Sequence, residues 1–229
     1  LSANYTASIS YMAWMPNGKS LIALAVKHDG AVVEQWPIDT GRHRRLWSDT
    51  VAIANPSWAE FSHDRTLRTL AFARESASEP RQIWIARRDH DSLEWTRLTE
   101  FHREHAQIMR TQCERVTWKG AEGWEIDGYL LLPEGYSEGK RVPLFTWVHG
   151  GPTSLFTPRY WNSMPFGYYA SKGFAVFLPN PRGSTGRGLT FAEANVGDMG
   201  GQDFADIMAG IERLIESGVA DPDRLAIGG

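Results

Sequence analysis

The sequence has a single cysteine, Cys113, among 229 residues, so it can form neither an internal disulfide nor a metal cage built from cysteine ligands. It contains no apolar run that approaches the ~20 residues of a membrane-spanning helix. It also has no excess of positive charge, because 24 Lys and Arg residues are outnumbered by 27 Asp and Glu residues. The resulting net charge of -3 gives no general attraction to nucleic acid or to an anionic membrane, so partners of these two kinds are not expected.

The composition is that of a folded globular protein. Hydrophobic residues make up 42% of the chain and charged residues 22%, which allows a sizeable core. The length permits one or two domains. Two parts of different texture divide the sequence near residue 108, and we therefore predict domains at residues 1–108 and 109–229.

Residues 1–108 contain short β-rich runs separated by turn residues. The runs that flank His28-Asp29-Gly30 predict a β-hairpin, because Asp-Gly tolerates the backbone angles of a tight turn. Several later runs are also typical of strands, among them the one that begins at Pro56 and ends at Phe61. This part of the chain is therefore expected to be antiparallel sheet.

The aromatic residues of this first part recur with a period. Trp14 and Phe61 are separated by 47 positions, and Trp36 and Trp84 by 48 positions. A period of that length with about four strands per repeat favours the last blades of a β-propeller. An antiparallel sandwich whose tryptophans lie in the core is the alternative.

Residues 109–229 alternate between strands and helices. Nearly continuous apolar runs at residues 142–148 and 174–178 predict strands covered on both faces, and Leu225-Ala226-Ile227 predicts a third buried strand. Between them, apolar residues at helical spacing predict a helix over residues 201–217, with one apolar stripe. The members of that stripe are Phe204, Ile207, Met208, Ile211, Leu214 and Ile215. This alternation predicts a doubly wound α/β fold.

In such folds the functional groups gather at the carboxyl ends of the strands. His149-Gly150-Gly151-Pro152 follows the strand at residues 142–148, and consecutive glycines there let backbone N–H groups approach an anionic oxygen. This motif predicts an oxyanion hole, with a glycine-rich structural turn as the alternative. His149 is a poor candidate for a general base, because in this fold the base follows the nucleophile along the chain.

Other polar clusters do not predict a site. Ser184 lies in Arg182-Gly-Ser-Thr-Gly186, which lacks the first glycine of the Gly-x-Ser-x-Gly elbow, so we interpret it as a loop hydroxyl. Asp203 and Asp206 are interpreted as acidic residues that favour a helix N-terminus. His102 and His105 do not have the spacing of a zinc motif. We therefore expect no metal and no cofactor.

Four segments together resemble the prolyl oligopeptidase family of serine peptidases, on the side of the acylaminoacyl-peptidases and dipeptidyl-aminopeptidases. They are ERVTWKGAEGWEIDGYLLLP, VPLFTWVHGGPTS, GFAVFLPNPRGSTGRG and GDMGGQDFADIMAGIERLIESGVADPDRLAIGG. The resemblance implies a β-propeller before an α/β-hydrolase domain, of which residues 109–229 would be the N-terminal part. It covers residues 112–229 through these motifs, and residues 1–108 through the period alone.

The resemblance also implies the roles of individual residues. The backbone N–H near Gly151 would be an oxyanion donor, and Asn180, Arg182 and Gly183 would form structural hydrogen bonds near the active-site cleft. Gly229 would be the first glycine of the Gly-x-Ser-x-Gly elbow, with the serine two residues later and the acid and base later still. We therefore expect these residues to be an internal fragment without a catalytic triad, and inactive alone.

The function implied by the resemblance is hydrolysis of short peptides by an exopeptidase or oligopeptidase. Two alternatives stay open: a carboxylesterase of the same fold, and a non-catalytic interaction module that carries a propeller and a degenerate hydrolase domain. A serine at the elbow with a later Asp and His would favour the peptidase, whereas Ala or Gly at that position would favour the interaction module.

Overall fold

The computed structural model describes residues 5–53, 61–104, 111–161 and 165–229. The chain divides into two compact units. The first consists of Leu1–Arg103, Thr157–Arg159 and Gly186–Gly188, and the second of Glu104–Phe156, Tyr160–Thr185 and Leu189–Gly229. The predicted boundary between residues 108 and 109 lies outside the described residues and stays a prediction, as does most of the strand expected at residues 56–61.

Among the residues that the structure describes, the first unit forms two antiparallel sheets whose strands follow one another along the chain. The strands of one sheet pair in the order β1-β2-β3-β4, and those of the other in the order β5-β7-β8-β9, with β6 paired to β7. The strands are β1 Ser8–Trp14, β2 Ser20–Lys27, β3 Gly30–Pro37, β4 Arg44–Asp49, β5 Ala52–Ile53, β6 Ser62–His63, β7 Thr69–Glu75, β8 Gln82–Asp89 and β9 Ser92–Arg97.

One of the two aromatic pairs that define the predicted period occupies equivalent strands in these sheets. Trp36 lies on β3 and Trp84 on β8, each on the third strand of its sheet path. Trp14 and Phe61 differ, because Trp14 is exposed at the end of β1 whereas Phe61 is buried immediately before β6. The hairpin predicted around His28-Asp29-Gly30 is present, since β2 and β3 pair from Lys27 and Gly30 onward.

The second unit is built on one mixed sheet in the order β10-β11-β13-β12-β14. Its strands are β10 Gln112–Lys119, β11 Glu125–Leu132, β12 Val142–Trp147, β13 Ala175–Asn180 and β14 Ala220–Gly228, and its helices are α1 Pro165–Ser171, α2 Leu189–Ala192 and α3 Gln202–Glu216. A 3₁₀ turn, Ala121–Gly123, joins β10 to β11. Strands β13, β12 and β14 are parallel, as α/β crossovers require.

Each face of this sheet carries its own apolar core. Phe177 and Leu130 point to the face covered by α3, where Ile207 and Ile211 are buried. The neighbouring residues of the same two strands point to the opposite face, which packs on α1. That alternation places helices on both sides and explains why β11 and β13 are buried along almost their whole length.

One burial prediction is wrong, and one residue of the predicted apolar stripe is not covered. Phe204 belongs to the apolar stripe by its spacing but is 53% exposed. The spacing predicts which face of the helix is apolar, but not which part of that face is covered by the rest of the protein. Leu225-Ala226-Ile227 does form part of a strand, but Leu225 is 45% and Ile227 61% exposed. In the described residues β14 pairs only with β12, so it is an edge strand of the sheet.

None of the helices described here is both long and apolar enough to span a membrane.

Candidate active-site loops

The carboxyl ends of β12, β13 and β14 lie at one edge of the second-unit sheet, because the three strands are parallel and adjacent. The N–H of Val148 donates to the carbonyl of Gly228 over 2.8 Å. His149-Gly150-Gly151-Pro152 therefore begins beside the last residues of β14. The ends of β12 and β14 therefore reach the same edge of the sheet, which in α/β folds is the edge where functional groups gather.

Gly151 occupies a backbone conformation that other residues rarely adopt, with φ of 138°. A Cβ at this position would approach the backbone nitrogens of Thr153 and Ser154 at 2.8 and 2.9 Å. At Gly150 a Cβ would meet nothing within 4 Å. Gly151 is exposed, and within the described ranges no hydrogen-bond partner of its N–H is found. The backbone conformation at position 151 therefore requires glycine, and the N–H of Gly151 is available to a ligand.

The loop that follows Gly151 is fixed by Asn180 at the end of β13. The amide of Asn180 accepts a hydrogen bond from the N–H of Phe156 at 2.8 Å and donates one to the carbonyl of Phe156 at 3.0 Å. Asn180 is completely buried, so these two bonds satisfy backbone groups that water cannot reach. Structural hydrogen bonding was expected of Asn180, and this is the bonding it makes.

Arg182 is the centre of a buried ion pair in the loop after β13. Its guanidinium donates to both carboxylate oxygens of Asp206, at 2.8 and 3.0 Å. It also donates to the carbonyl of Ala121 at 2.6 Å and to the carboxylate of Glu122 at 3.1 Å. The pKa of Arg182 is raised, chiefly by the hydrogen bond to Asp206. Trp124 packs over the guanidinium, 4.9 Å from its ring centre.

Asp206 corrects an expectation from the sequence. It was interpreted as an acidic residue that favours a helix N-terminus, but it is completely buried and lies beyond the first turn of α3. Besides the guanidinium, its carboxylate accepts the backbone N–H of Arg182 at 3.1 Å and that of Ala121 at 2.9 Å. Asp206 therefore joins three chain segments. Asp203 does lie in the first turn, where it accepts the N–H of Gly200 and that of Phe204.

Gly183 and Asn195 complete the support of this loop. Gly183 has φ of 94°, and its N–H donates to the carbonyl of Phe191 at 2.8 Å. The amide of Asn195, which is buried, occupies the space that a Cβ on Gly183 would need. Sequence reasoning missed Asn195 and the structural role of Asp206. No spacing signal marks either residue, since both act through contacts with distant segments.

Ser184 is a buried loop hydroxyl and not a nucleophile. It is 1% exposed, and its Oγ donates to the carbonyl of Pro181 at 2.6 Å. The Nε2 atom of His149 lies 3.0 Å from the same Oγ. A serine whose proton is committed to a carbonyl is not deprotonated by that ring, so the pair does not have the geometry of an activated nucleophile.

The sequence interpretation also named two other histidines, His102 and His105. His102 belongs to the first unit, and His105 lies outside the described residues. Among the residues that the structure describes, no group of three His, Cys, Asp or Glu side chains could hold a metal ion.

This chain is similar in sequence to known peptidases. Residues 161–229 match the model of the prolyl oligopeptidase family. The chain is 34% identical to an uncharacterized peptidase, YuxL, of Bacillus subtilis over 57% of this chain and 19% of that protein. It is also 34% identical to dipeptidyl-peptidase 5 of Schizosaccharomyces pombe, over 47% of this chain and 16% of that protein. The resemblance found in the sequence is thereby confirmed.

A solved structure gives the same fold. The acylaminoacyl peptidase of Pyrococcus horikoshii superposes with a TM-score of 0.78 at 24% identity, over 98% of this chain and 34% of that one. The chain thus spans about a sixth to a third of the length of these three proteins.

Proposed function

We propose that the protein is a serine peptidase that hydrolyses short peptides through an acyl-enzyme, and the match of residues 161–229 to the model of the prolyl oligopeptidase family supports this proposal. One observation carries the proposal. Gly151, in the loop that follows β12, is exposed and has no partner for its N–H in the described residues. Such a donor suits the oxyanion that forms when a nucleophile attacks a peptide carbonyl.

The chemistry assigns Gly151 one defined role. A serine attacks the scissile carbonyl, a histidine takes its proton, and the N–H of Gly151 stabilises the negative oxygen of the tetrahedral intermediate. One donor of this kind is worth about 3 kcal/mol in the transition state. We place the serine two residues after Gly229, at the turn after β14, because the segment from Arg224 to Gly229 resembles the approach to the family's nucleophile elbow.

The same proposal includes the architecture. We assign residues 1–108 to the last blades of a β-propeller and residues 109–229 to the N-terminal part of an α/β-hydrolase domain. The first assignment is supported by two successive antiparallel sheets with sequential strands. The second is supported by the mixed sheet with helices on both faces and by the glycine-rich loop at the end of β12.

A pair of glycine variants tests the function in the protein expressed from its complete reading frame. Gly151→Ala forces a Cβ against two backbone nitrogens, so kcat for a short peptide substrate should fall about 100- to 1000-fold with little change in KM. Gly150→Ala adds the same atom where nothing lies within 4 Å and should retain activity. Equal losses in both variants would show that Gly151 is not a specific donor.

A fluorophosphonate probe tests the position of the nucleophile. Peptide mapping should find the label on the serine after Gly229, whereas a polypeptide of residues 1–229 should not be labelled. Stoichiometric labelling of Ser184 would overturn the proposal. Hydrolysis of esters without hydrolysis of peptides would favour a carboxylesterase instead, and an elbow without serine would favour an interaction module.

A further inference from the structure

A cavity with a volume of about 550 Å³ lies between β10 and the C-terminal end of α3. The segment between β11 and β12 completes its lining. The charged and apolar residues that face it include Glu114, Leu132, Tyr136, Glu138, Arg213 and Val219. Ligand sites in proteins commonly have volumes of about 300 to 1,000 Å³, so the cavity has room for a small organic molecule.

The cavity lies at the amino ends of the parallel strands. Leu132 follows Leu131, and Leu131 pairs with Val176 next to the start of β13. Val219 immediately precedes β14, and its carbonyl accepts the N–H of Val142 at the start of β12 over 2.9 Å. Reactions on α/β sheets take place at the carboxyl ends of the strands, so a ligand bound here is not positioned as a substrate.

Glu114 faces this cavity from the apolar side of the sheet. It pairs directly with Leu130, and side chains of directly opposed residues in antiparallel strands point to the same face. Leu130 is 1% exposed and belongs to the core under α3. Glu114 is nevertheless exposed, because the cavity opens above it. An acidic side chain is therefore directed to the face of β10 that carries apolar residues elsewhere.

Two more oxygen-bearing side chains reach the cavity from the segment between β11 and β12. They are Tyr136 and Glu138. Burial raises the pKa of Tyr136, and the charges of Glu138 and Glu114 raise it further, so the three groups act on one another. Among the described residues no cluster of His, Cys, Asp and Glu suits a metal ion. Three oxygen acceptors instead suit an ammonium group, which has three N–H donors.

Arg213 brings the opposite charge to the cavity from α3. Its side chain is exposed, and within the described residues it forms no ion pair with Glu114 or Glu138. A guanidinium donates two parallel hydrogen bonds to a carboxylate, so it suits the carboxyl end of a ligand. Leu132 and Val219 add apolar surface to the same cavity. The cavity thus matches a molecule that has an ammonium group, a carboxylate and an apolar side chain.

We propose that this cavity binds a short peptide whose two ends are free. The α-ammonium lies against Glu114 and Glu138, and the carboxylate lies on Arg213. The apolar side chain of the peptide packs on Leu132 and Val219. Peptides of this kind are also the products of the proposed function, whereas the charge pattern of the cavity is independent of it.

Calorimetric titration tests the ligand class. The protein expressed from its complete reading frame is first treated with a fluorophosphonate, so that it does not hydrolyse the peptides. Leucyl-leucine should bind with a Kd of about 0.1 to 1 mM, as expected of a ligand of this size. N-acetyl-leucyl-leucine lacks the ammonium group and leucyl-leucinamide lacks the carboxylate, so each should bind about 10-fold more weakly. Equal affinity for all three peptides would overturn the proposal.

Variants of the lining residues test the position of the peptide. Glu114→Gln and Glu138→Gln should each weaken leucyl-leucine about 5- to 20-fold without further weakening the N-acetyl peptide. Arg213→Met should weaken leucyl-leucine to a similar extent and leave the affinity for leucyl-leucinamide unchanged.

The matched controls are Glu134→Gln and Lys140→Met. Both residues are exposed, lie on the same segment as Glu138 and do not line the cavity, so both variants should keep wild-type affinity. Wild-type affinity in all three variants of the lining would show that the peptide binds elsewhere and would overturn the proposal.

The titration also separates this proposal from the proposed function. If no fluorophosphonate is incorporated, the proposed function fails, and the same titrations on the untreated protein still decide whether the cavity binds peptides. Absence of binding up to about 10 mM leucyl-leucine would overturn the proposal for the cavity alone.

Discussion

Replacing Asp206 with alanine should be among the most destabilising single changes in the second unit. The carboxylate accepts four hydrogen bonds, from Nε, Nη2 and the backbone N–H of Arg182 and from the N–H of Ala121. The side chain of Arg182 is only 3% exposed, so Asp206→Ala leaves a guanidinium charge that water cannot solvate and whose one remaining ion-pair partner in the described residues is the exposed carboxylate of Glu122. Breaking a buried ion pair in this way costs about 3 to 5 kcal/mol.

The free energy of unfolding can be measured by urea denaturation followed by circular dichroism. With a denaturant dependence of about 3 kcal/mol per M, the midpoint of Asp206→Ala should fall by roughly 1 to 2 M. Glu212→Ala is the matched control, because Glu212 is an exposed acidic residue on the same helix. Its free energy of unfolding should change by less than about 0.5 kcal/mol.

A double substitution tests whether the buried charge of Arg182, once Asp206 is removed, causes the destabilisation. Arg182→Met combined with Asp206→Leu removes both charges and replaces them with apolar side chains. The double variant still lacks an acceptor for two backbone N–H groups, so it should be destabilised, but by less than Asp206→Ala alone. Destabilisation equal to the sum of the two single substitutions would refute this reasoning.

Three further predictions concern other residues of the second unit. Burial lowers the pKa of His149 below its ordinary 6.5, so the neutral ring stabilises the fold fully above pH 6.5 and this stabilisation is lost as the pH falls from there through the folded-state pKa. Urea midpoints measured between pH 7.5 and 5.5 should show this loss of stability. The same pH dependence should be absent from His149→Gln. Asn180→Leu deprives both backbone groups of Phe156 of their partners and should lower the free energy of unfolding by about 2 to 4 kcal/mol in the same assay, whereas a change below 0.5 kcal/mol would mean that water replaces the amide. Burial raises the pKa of Cys113 to about 12, so its thiol should react with iodoacetamide at pH 8 only after unfolding, and rapid modification of the folded protein would contradict the burial.

Local pattern was enough to predict β12, β13 and α3 of the second unit. The runs that became β12 and β13 are apolar because both faces of those strands are covered, and such runs are recognisable in a sequence. The helix over residues 201–217 was predicted by its period, and α3 occupies Gln202–Glu216. Gly151 could be singled out because consecutive glycines after a buried strand have a specific use in hydrolases.

Long-range polar contacts could not be predicted in the same way. Arg182 and Asp206 are 24 residues apart, and each has an ordinary local interpretation as a loop cation and a helix acid. The contact between His149 and Ser184 depends on β13 lying next to β12, which no local pattern specifies. Burial of β14 was overestimated because an apolar run indicates what a strand prefers and not which neighbours it has.

The order of synthesis determines when the ion pair between Arg182 and Asp206 can form. On the ribosome the loop after β13 emerges before the helix that carries its carboxylate, so the arginine is first exposed to water as a solvated cation. Only when α3 has been made and has docked can the loop take its final shape. The ion pair is thus completed only after α3 has been made, so the loop after β13 reaches its final shape late in the synthesis of the second unit.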